Sequence, residues 1–160
     1  MELIGWIGTG VVAVVAAGII GVWIYLKRKW KPTYTTIQGC KVYCQECSHM
    51  KTRKADVEEE LDRVVKLLVG KFEKGRMVEE LRRLSINFKK SPFKTSSGEM
   101  ASGMCDSGKR FVAVYAREFG DMRSTSLSHE VIHYFLETIE KKFDCSHSLK
   151  EYWRLINDGN

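Results

Sequence analysis

The residues that decide the fold form one apolar run, Ser126-Leu127-Ser128-His129-Glu130-Val131-Ile132-His133-Tyr134-Phe135-Leu136. The run predicts a helix, and residues four apart lie on the same face of a helix. His129 and His133 are therefore expected to project together, where they could bind one zinc ion. Glu130 follows the first histidine, so its carboxylate could reach a water molecule on that metal. This spacing is typical of metal-assisted hydrolysis of an amide bond.

A third ligand is needed, because a catalytic zinc takes three protein ligands and leaves one position for water. The downstream side chains that could supply it are Glu137, Glu140, Asp144, Cys145, His147 and Glu151. Glu137 comes a full turn too late on the helix and is better suited to support a ligand. His147 and Glu151 remain as candidates. We favour His147, because the pattern Ser148-x-x-Glu151 predicts that Glu151 caps a final helix.

These motifs together resemble a known family. His129-Glu130-Val131-Ile132-His133 is followed by His147-Ser148-Leu149-Lys150-Glu151-Tyr152-Trp153. The combination is similar to the SprT-like and related small zincin metalloproteases, and the similarity extends roughly from Phe111 to Leu155. It implies a zinc ion bound by His129, His133 and His147, with Glu130 as the general base. No glycine follows His147, as it often does in SprT-like sequences, and the substrate of that family is not carried over.

The residues before this run predict an α+β fold. Apolar residues at spacings of three and four indicate helices, and β-branched segments bounded by turn residues indicate strands. The predicted helices cover residues 55–72, 77–84, 127–142 and a final segment after 148, and the predicted strands cover 86–88, 99–105 and 110–117. The last two strands flank Asp106-Ser107-Gly108-Lys109, a turn signature that predicts a hairpin. We expect a small antiparallel sheet packed on the His-Glu-x-x-His helix, with a strand edge that could hold an extended peptide.

The N-terminal segment has a different character. No charged residue occurs from Leu3 to Leu26, which predicts a transmembrane helix and, in the absence of preceding positive charge, a retained anchor. Basic residues follow it at Lys27, Arg28, Lys29 and Lys31. Because basic residues remain on the inner side of a membrane, the C-terminal domain is expected to be cytoplasmic. Ala13, Ala17 and Gly21 share one helix face, which could support a weak anchor-mediated dimer.

The distribution of the charge, rather than its total, argues against one class of partner. The formal net charge is +6, part of which belongs to the basic cluster beside the predicted anchor. That cluster favours anionic lipid headgroups. No basic stripe interleaved with aromatic residues occurs, so we expect no nucleic acid partner. The expected partners are the membrane and a protein or peptide substrate.

A second group of metal-ligand residues occurs at Cys40-x-x-x-Cys44-x-x-Cys47-x-His49. Cys44-x-x-Cys47 is half of a common structural zinc site, and Cys40 and His49 could add ligands. The other half of a zinc ribbon, a second Cys-x-x-Cys, does not follow. The group is therefore a candidate second metal site, a redox-sensitive thiol cluster or a set of packed cysteines.

We therefore expect three parts: an anchor with its basic flank at residues 1–31, a tether with the cysteine cluster at 32–53 and a zincin-like metalloprotease domain at 54–160. The expected function is a membrane-anchored zinc metallopeptidase in which Glu130 takes the proton of a zinc-activated water. Tyr115, Tyr134 and Tyr152 are candidates for stabilising the oxyanion, and none is assigned. The alternatives are a catalytically inactive zincin-like domain that acts as an interaction module, and a membrane protein whose metal site is the cysteine cluster.

Overall fold

The computed structural model of the protein describes residues 20, 22, 31–95, 98–116, 125–144 and 146–157. The chain divides into two compact units, Met1–Lys31 and Pro32–Asn160. Only residues 20, 22 and 31 of the first unit are described, so the elements below belong to the second.

The second unit has an α+β architecture. Its helices are α1 (Lys54–Leu68), α2 (Lys74–Arg83), α3 (Thr125–Phe135) and α4 (Lys150–Asn157), with a 3-10 helix at Ser48–Thr52 and a π-helical segment at Leu136–Glu140. Its strands are β1 (Tyr34–Thr35), β2 (Lys41–Tyr43), β3 (Ser85–Lys89), β4 (Phe93–Lys94), β5 (Met100–Ala101), β6 (Gly103–Asp106) and β7 (Phe111–Tyr115). The π-helical segment continues α3 directly, so the His-Glu-x-x-His helix changes its winding after the turns that carry His129 and His133.

Five strands form one mixed sheet in the order β1-β2-β3-β7-β6. β2, β3 and β7 are parallel neighbours, whereas β1 and β6 are antiparallel to theirs. The sheet that packs on the His-Glu-x-x-His helix, expected to be antiparallel, is therefore a mixed sheet. α1 and α2 connect β2 to β3, and a helical crossover of that length allows neighbouring strands to run parallel. β4 and β5 pair separately as a two-stranded antiparallel sheet.

The predicted hairpin is formed by β6 and β7, with Cys105 opposite Val112. Asp106 closes its turn by accepting a hydrogen bond of 3.0 Å from the backbone N–H of Lys109. β6 is the last strand in the sheet order, and α3 packs against both strands of the hairpin. Within the described residues, β6 therefore has a strand neighbour on one side only and lies beside the His-Glu-x-x-His helix.

α3 is held in place by one apolar face. Leu127, Val131 and Phe135 recur every four residues, and all three are fully buried. Burying each such side chain stabilises the fold by roughly 1.5–3 kcal/mol. Because this face packs against the core, the rotation of the helix is fixed. His129 and His133 lie on another, half-buried face and so have defined positions.

The transmembrane part of the predicted fold class is wrong. Among the residues that the structure describes, no helix is long and apolar enough to cross a membrane. α1, with 15 residues, is about 22 Å long, whereas the hydrocarbon core is roughly 30 Å thick. The stretch from Leu3 to Leu26 that prompted the prediction lies outside the described residues, apart from 20 and 22, as do Ala13, Ala17 and Gly21 of the predicted dimer face.

The predicted tether is built into the folded unit. Residues 32–53 contribute β1, β2 and the 3-10 helix. Cys40, Val42 and Cys44 are fully buried. Because side chains two apart in an extended segment share one face, these three form the inward face of β2 and the residues that flank it. The four-residue spacing of Cys40 and Cys44 is thus that of a segment with one buried face, whereas Cys47 precedes the 3-10 helix.

Candidate metal centre

α3 brings the first two histidines together. The Nε2 atoms of His129 and His133 lie 3.2 Å apart, as the four-residue spacing on a helix predicts. His147, on the loop before α4, completes a triangle, with its Nε2 atom 2.9 Å from that of His129 and 3.1 Å from that of His133. Two segments of the chain thus converge on one point.

This triangle fits a zinc ion. Zinc binds histidine nitrogen at about 2.0–2.1 Å in tetrahedral geometry, which separates two such nitrogens by about 3.3 Å. The observed separations of 2.9 to 3.2 Å are close to that value. A neutral imidazole has one acceptor nitrogen, and where that nitrogen is Nε2 in all three rings, a cation between them offsets their mutual repulsion. The three histidines are also the only set of His, Cys, Asp or Glu among the described residues whose ligand atoms converge within 4.8 Å.

The electrostatic environment keeps two of the three histidines neutral. Burial, with a further contribution from the neighbouring histidines, lowers the pKa of His129 and of His133 from 6.5 to about 4. A neutral imidazole is the form that binds a metal. At neutral pH both side chains are therefore ready to act as ligands.

The loop that carries His147 is fixed by the carboxylate of Asp144. Oδ1 of Asp144 accepts hydrogen bonds from the backbone N–H and the hydroxyl of Ser148, at 2.8 and 2.7 Å. Oδ2 accepts hydrogen bonds from the backbone N–H of Leu149 at 3.0 Å and from the indole N–H of Trp153 at 2.8 Å. Burial alone would raise the pKa of Asp144, but these four bonds hold it well below its ordinary value.

His147 itself has an unusual backbone conformation. Its φ of +54° lies in the left-handed region, which costs a residue with a side chain roughly 1–2 kcal/mol. Such strain persists only where the surroundings over-determine it. Here the constraint is provided by Asp144, which precedes His147 and accepts four hydrogen bonds from residues that follow it.

Trp153 packs against the whole cluster. Its ring centroid lies 4.8 Å from that of His129, 4.6 Å from that of His133 and 4.6 Å from that of His147. The indole is 9% exposed. It therefore forms an apolar support behind the three imidazoles and limits the orientations that they can adopt.

Glu130 lies beside this cluster and is buried, at 8% exposure. Gly103 of β6 approaches it so closely that an added Cβ would lie 2.6 Å from Glu130 Cγ. Burial, with a smaller contribution from the charge of Glu137, raises the pKa of Glu130 from 4.5 to about 7. A nearby dication would favour the ionised form and lower this pKa again. A carboxylate with a pKa near neutrality is suited to accept and return a proton.

A cleft of about 290 Å³ opens next to these groups. Its lining combines one stretch of chain with one face of α3: Met100, Ala101, Ser102, Gly103, Ser126, His129 and Glu130. The first four residues are the two of β5, the connecting Ser102 and the first residue of β6, the last strand of the five-stranded sheet. The cleft thus brings a strand edge, the candidate general base and one histidine together.

The other ligand candidates are not part of the cluster. Glu151 is exposed in the first turn of α4, and Glu137 raises the pKa of Glu130 without joining the histidines. The carboxylate of Asp144 is occupied by its four donors, and Glu140 accepts the hydroxyl of Tyr152 at 2.7 Å. Cys145 lies outside the described residues. Ligation by His147 stays a prediction, but the described geometry favours it over these residues.

Two of the candidate oxyanion donors are engaged elsewhere. Tyr134 is fully buried and donates its hydroxyl to Glu80 at 2.9 Å. Tyr152 donates to Glu140, as described above. Burial and these bonds raise the pKa of both phenols. Both hydroxyl groups therefore act in packing contacts rather than in the cleft, and Tyr115, half-buried at the end of β7, is not among the cleft residues.

The cysteine cluster does not form a second centre among the described residues. Cys40, Cys44 and Cys47 are buried, whereas His49 is exposed. Burial raises the pKa of all three thiols, that of Cys40 to about 12, and a protonated thiol is a poor ligand and a poor nucleophile. The structure therefore agrees with packed cysteines, which was one of the three expectations.

Sequence reasoning missed three contributors to the site. Trp153 was named only within the motif that carries the resemblance, Asp144 only as a candidate ligand, and Gly103 was not singled out. Asp144 had only a general signal, because aspartate side chains commonly accept backbone N–H groups in turns and loops. Gly103 had none, since its closeness to Glu130 depends on how the sheet packs against α3.

Comparison with protein-family models, curated proteins and solved structures gives no match for this chain. The resemblance to SprT-like metalloproteases stays a prediction that rests on the quoted residues.

Proposed function

We propose that this chain is a zinc metallopeptidase that hydrolyses peptide bonds in a protein or peptide substrate. The observation that carries the proposal is the triangle of Nε2 atoms from His129, His133 and His147, with sides of 2.9 to 3.2 Å. Such a set matches the three-ligand arrangement of catalytic zinc, which leaves one coordination position for water. The buried carboxylate of Glu130 beside it supplies the proton acceptor that hydrolysis requires.

Each residue has a role in this proposal. The three histidines would hold the metal through their Nε2 atoms. When bound, a zinc ion would supply a Lewis acid for the scissile carbonyl and a water with a pKa lowered toward 7. Glu130 takes the proton of the attacking water and delivers it to the departing amine nitrogen, so that one proton is moved from water to the leaving group.

The substrate is expected to lie along β6. This strand ends the sheet order, and its first residue, Gly103, lines the cleft together with His129 and Glu130. An extended peptide can pair with the free edge of a strand through backbone hydrogen bonds, which recognise a chain rather than a particular side chain. Recognition through the backbone is consistent with a peptide substrate class.

The decisive variant is Glu130→Gln in the full-length chain. It should retain one zinc per chain, measured by metal analysis after dialysis. Its rate of cleavage of a random peptide library, followed by mass spectrometry, should fall at least about 100-fold. Glu59→Gln, which changes a carboxylate on the exposed face of α1, serves as the control and should cleave as the wild type does. Unchanged cleavage by Glu130→Gln would remove this residue from the mechanism, and a zinc-loaded wild type that cleaves nothing would indicate a binding module.

A further inference from the structure

The third histidine stands on a loop that contains only two residues between Asp144 and His147. All four bonds to the Asp144 carboxylate come from residues after His147: two from Ser148, one from Leu149 and one from Trp153. The backbone N–H of His147 also approaches the carbonyl oxygen of Asp144, at 3.4 Å. The carboxylate therefore closes a tight loop around the histidine.

The same carboxylate connects the loop to the ring behind the cluster. Trp153 donates its indole N–H to Oδ2 of Asp144 and packs against all three imidazoles. Asp144 is 3% exposed, so water does not compete effectively for these bonds. One buried group thus determines both where His147 lies and how the indole is oriented.

We propose that Asp144 is a positioning residue of the metal site, which holds His147 in its left-handed conformation and Trp153 against the three histidines. It touches neither the metal position nor the cleft, and it acts through the residues that it binds. This inference rests on the proposed function, since it assigns a residue that sets the affinity and geometry of the same zinc site. Partners of metal ligands typically contribute about 10- to 100-fold to metal affinity.

Asp144→Asn is the informative substitution, because it preserves size and exchanges one acceptor atom for a donor. Asparagine can still accept from Ser148 through its carbonyl oxygen, but its NH2 group would face the N–H groups of Leu149 and Trp153. At most two of the four bonds survive. The loop and the indole should then lose their fixed relation to His147.

The test measures metal binding by the full-length chain rather than activity. Zinc affinity is obtained by chelator competition, and the ligand set is followed by the visible absorption of the cobalt-substituted protein. We expect Asp144→Asn to bind zinc about 10- to 100-fold more weakly and its cobalt spectrum to move toward that of His147→Ala. Asp56→Asn, which removes an exposed carboxylate paired with Arg53, should match the wild type in both measurements.

A merely structural role would give a different result. In that case, folded Asp144→Asn would unfold at a lower temperature but keep the zinc affinity and the cobalt spectrum of the wild type, which would overturn the inference. If Asp144→Asn does not fold, Ser148→Ala removes a single hydroxyl donor from an exposed residue and should weaken zinc binding in the same direction by a smaller factor. Unchanged zinc binding by folded Ser148→Ala would then overturn the inference.

The two proposals fail separately. If the wild type binds neither zinc nor cobalt, the metal site and this inference are both overturned. If the wild type binds zinc and Glu130→Gln loses activity while Asp144→Asn keeps its metal affinity, the proposed function stands and the inference alone is overturned.

Discussion

The histidines and the cysteines of this chain form similar patterns in sequence but occupy different kinds of place in the fold. His129, His133 and His147 are partly exposed around one point, with nitrogens 2.9 to 3.2 Å apart. Cys40 and Cys44 flank β2 and are fully buried on one face of that extended segment. Both sets contain side chains that bind zinc in other settings. The two sets therefore differ in whether their ligand atoms converge on one point, and not in whether their residue types can bind zinc.

The difference arises from the periodicity of the element that carries each pair. A spacing of four brings two side chains together on a helix, one turn apart. The same spacing on an extended strand leaves them about 13 Å apart on the same face. Ligand motifs are therefore informative only when the local secondary structure is known. Here the helix around His129 was clear from its apolar face, whereas the strand around Val42 was not recognised.

The largest expected effect separates the two sets by their metal content. His129→Ala combined with His133→Ala should reduce bound zinc from one per chain to none, because a single remaining histidine binds weakly. Cys44→Ala combined with Cys47→Ala should keep one zinc per chain, since these thiols are buried and protonated. Metal analysis of both purified full-length variants gives the answer. Zinc retained by the histidine variant and lost by the cysteine variant would reverse the comparison.

Burial also has different consequences for Glu130, beside the histidines, and for Cys40. A pH series of the metal-free protein should reveal this difference. The pKa of Glu130 is raised to about 7 in the folded state, so the folded chain binds this proton more tightly than the unfolded chain does. The stability from this group is present below pH 4.5 and is lost as the pH rises through 7. Glu130→Gln should therefore gain stability relative to the wild type between these pH values, by about 3 kcal/mol in total.

Cys40→Ala is the matched control for that series. Its thiol has a pKa raised from 9 to about 12, so it stays protonated in both states between pH 4.5 and 7.5. The difference in unfolding free energy between Cys40→Ala and the wild type should then not vary with pH in this range. Urea unfolding in the presence of a chelator measures both variants. A Glu130→Gln difference that is flat with pH would show that this carboxylate is not buried as described.

Much of the fold was accessible to sequence reasoning because its elements have clear periodicity. The apolar stripes of α1 and α3 and the turn of the β6–β7 hairpin gave α+β with the hairpin directly before the His-Glu-x-x-His helix. The parallel pairing of β2, β3 and β7 was not accessible. It depends on which strands meet after α1 and α2 cross the sheet, a non-local outcome that no single segment encodes.

The site shows the same division between local and non-local information. His129, Glu130 and His133 follow from one helix, and His147 from a position shortly after it. The support given by Trp153 and by the Asp144 carboxylate requires the return of α4 to the cluster, and the close approach of Gly103 requires the packing of the sheet on α3. Tertiary packing thus adds the residues that orient a site, whereas local pattern gives the residues that perform the chemistry.

The last comparison, with the smallest expected effect, uses one glycine near each set of candidate ligands. Gly103→Ala would bring a Cβ to within 2.6 Å of Glu130 Cγ, and because that side chain is flexible, the carboxylate should move while the fold is retained. A displacement of about 1 Å at a catalytic group can lower activity by roughly 100-fold, so peptide cleavage should fall by about that factor with zinc content unchanged.

Gly39→Ala, beside Cys40, should do the opposite. Its φ of +93° disfavours a side chain, and the added Cβ would lie 2.8 Å from Arg82 Cγ, so we expect a loss of stability of about 1–2 kcal/mol. Cleavage and zinc content, measured well below the unfolding midpoint, should match the wild type, because Gly39 lies beside the buried Cys40 and not beside the candidate metal centre. Equal losses of cleavage in the two variants would mean that both act through stability, and the specific contact between β6 and the candidate general base would then have no role in catalysis.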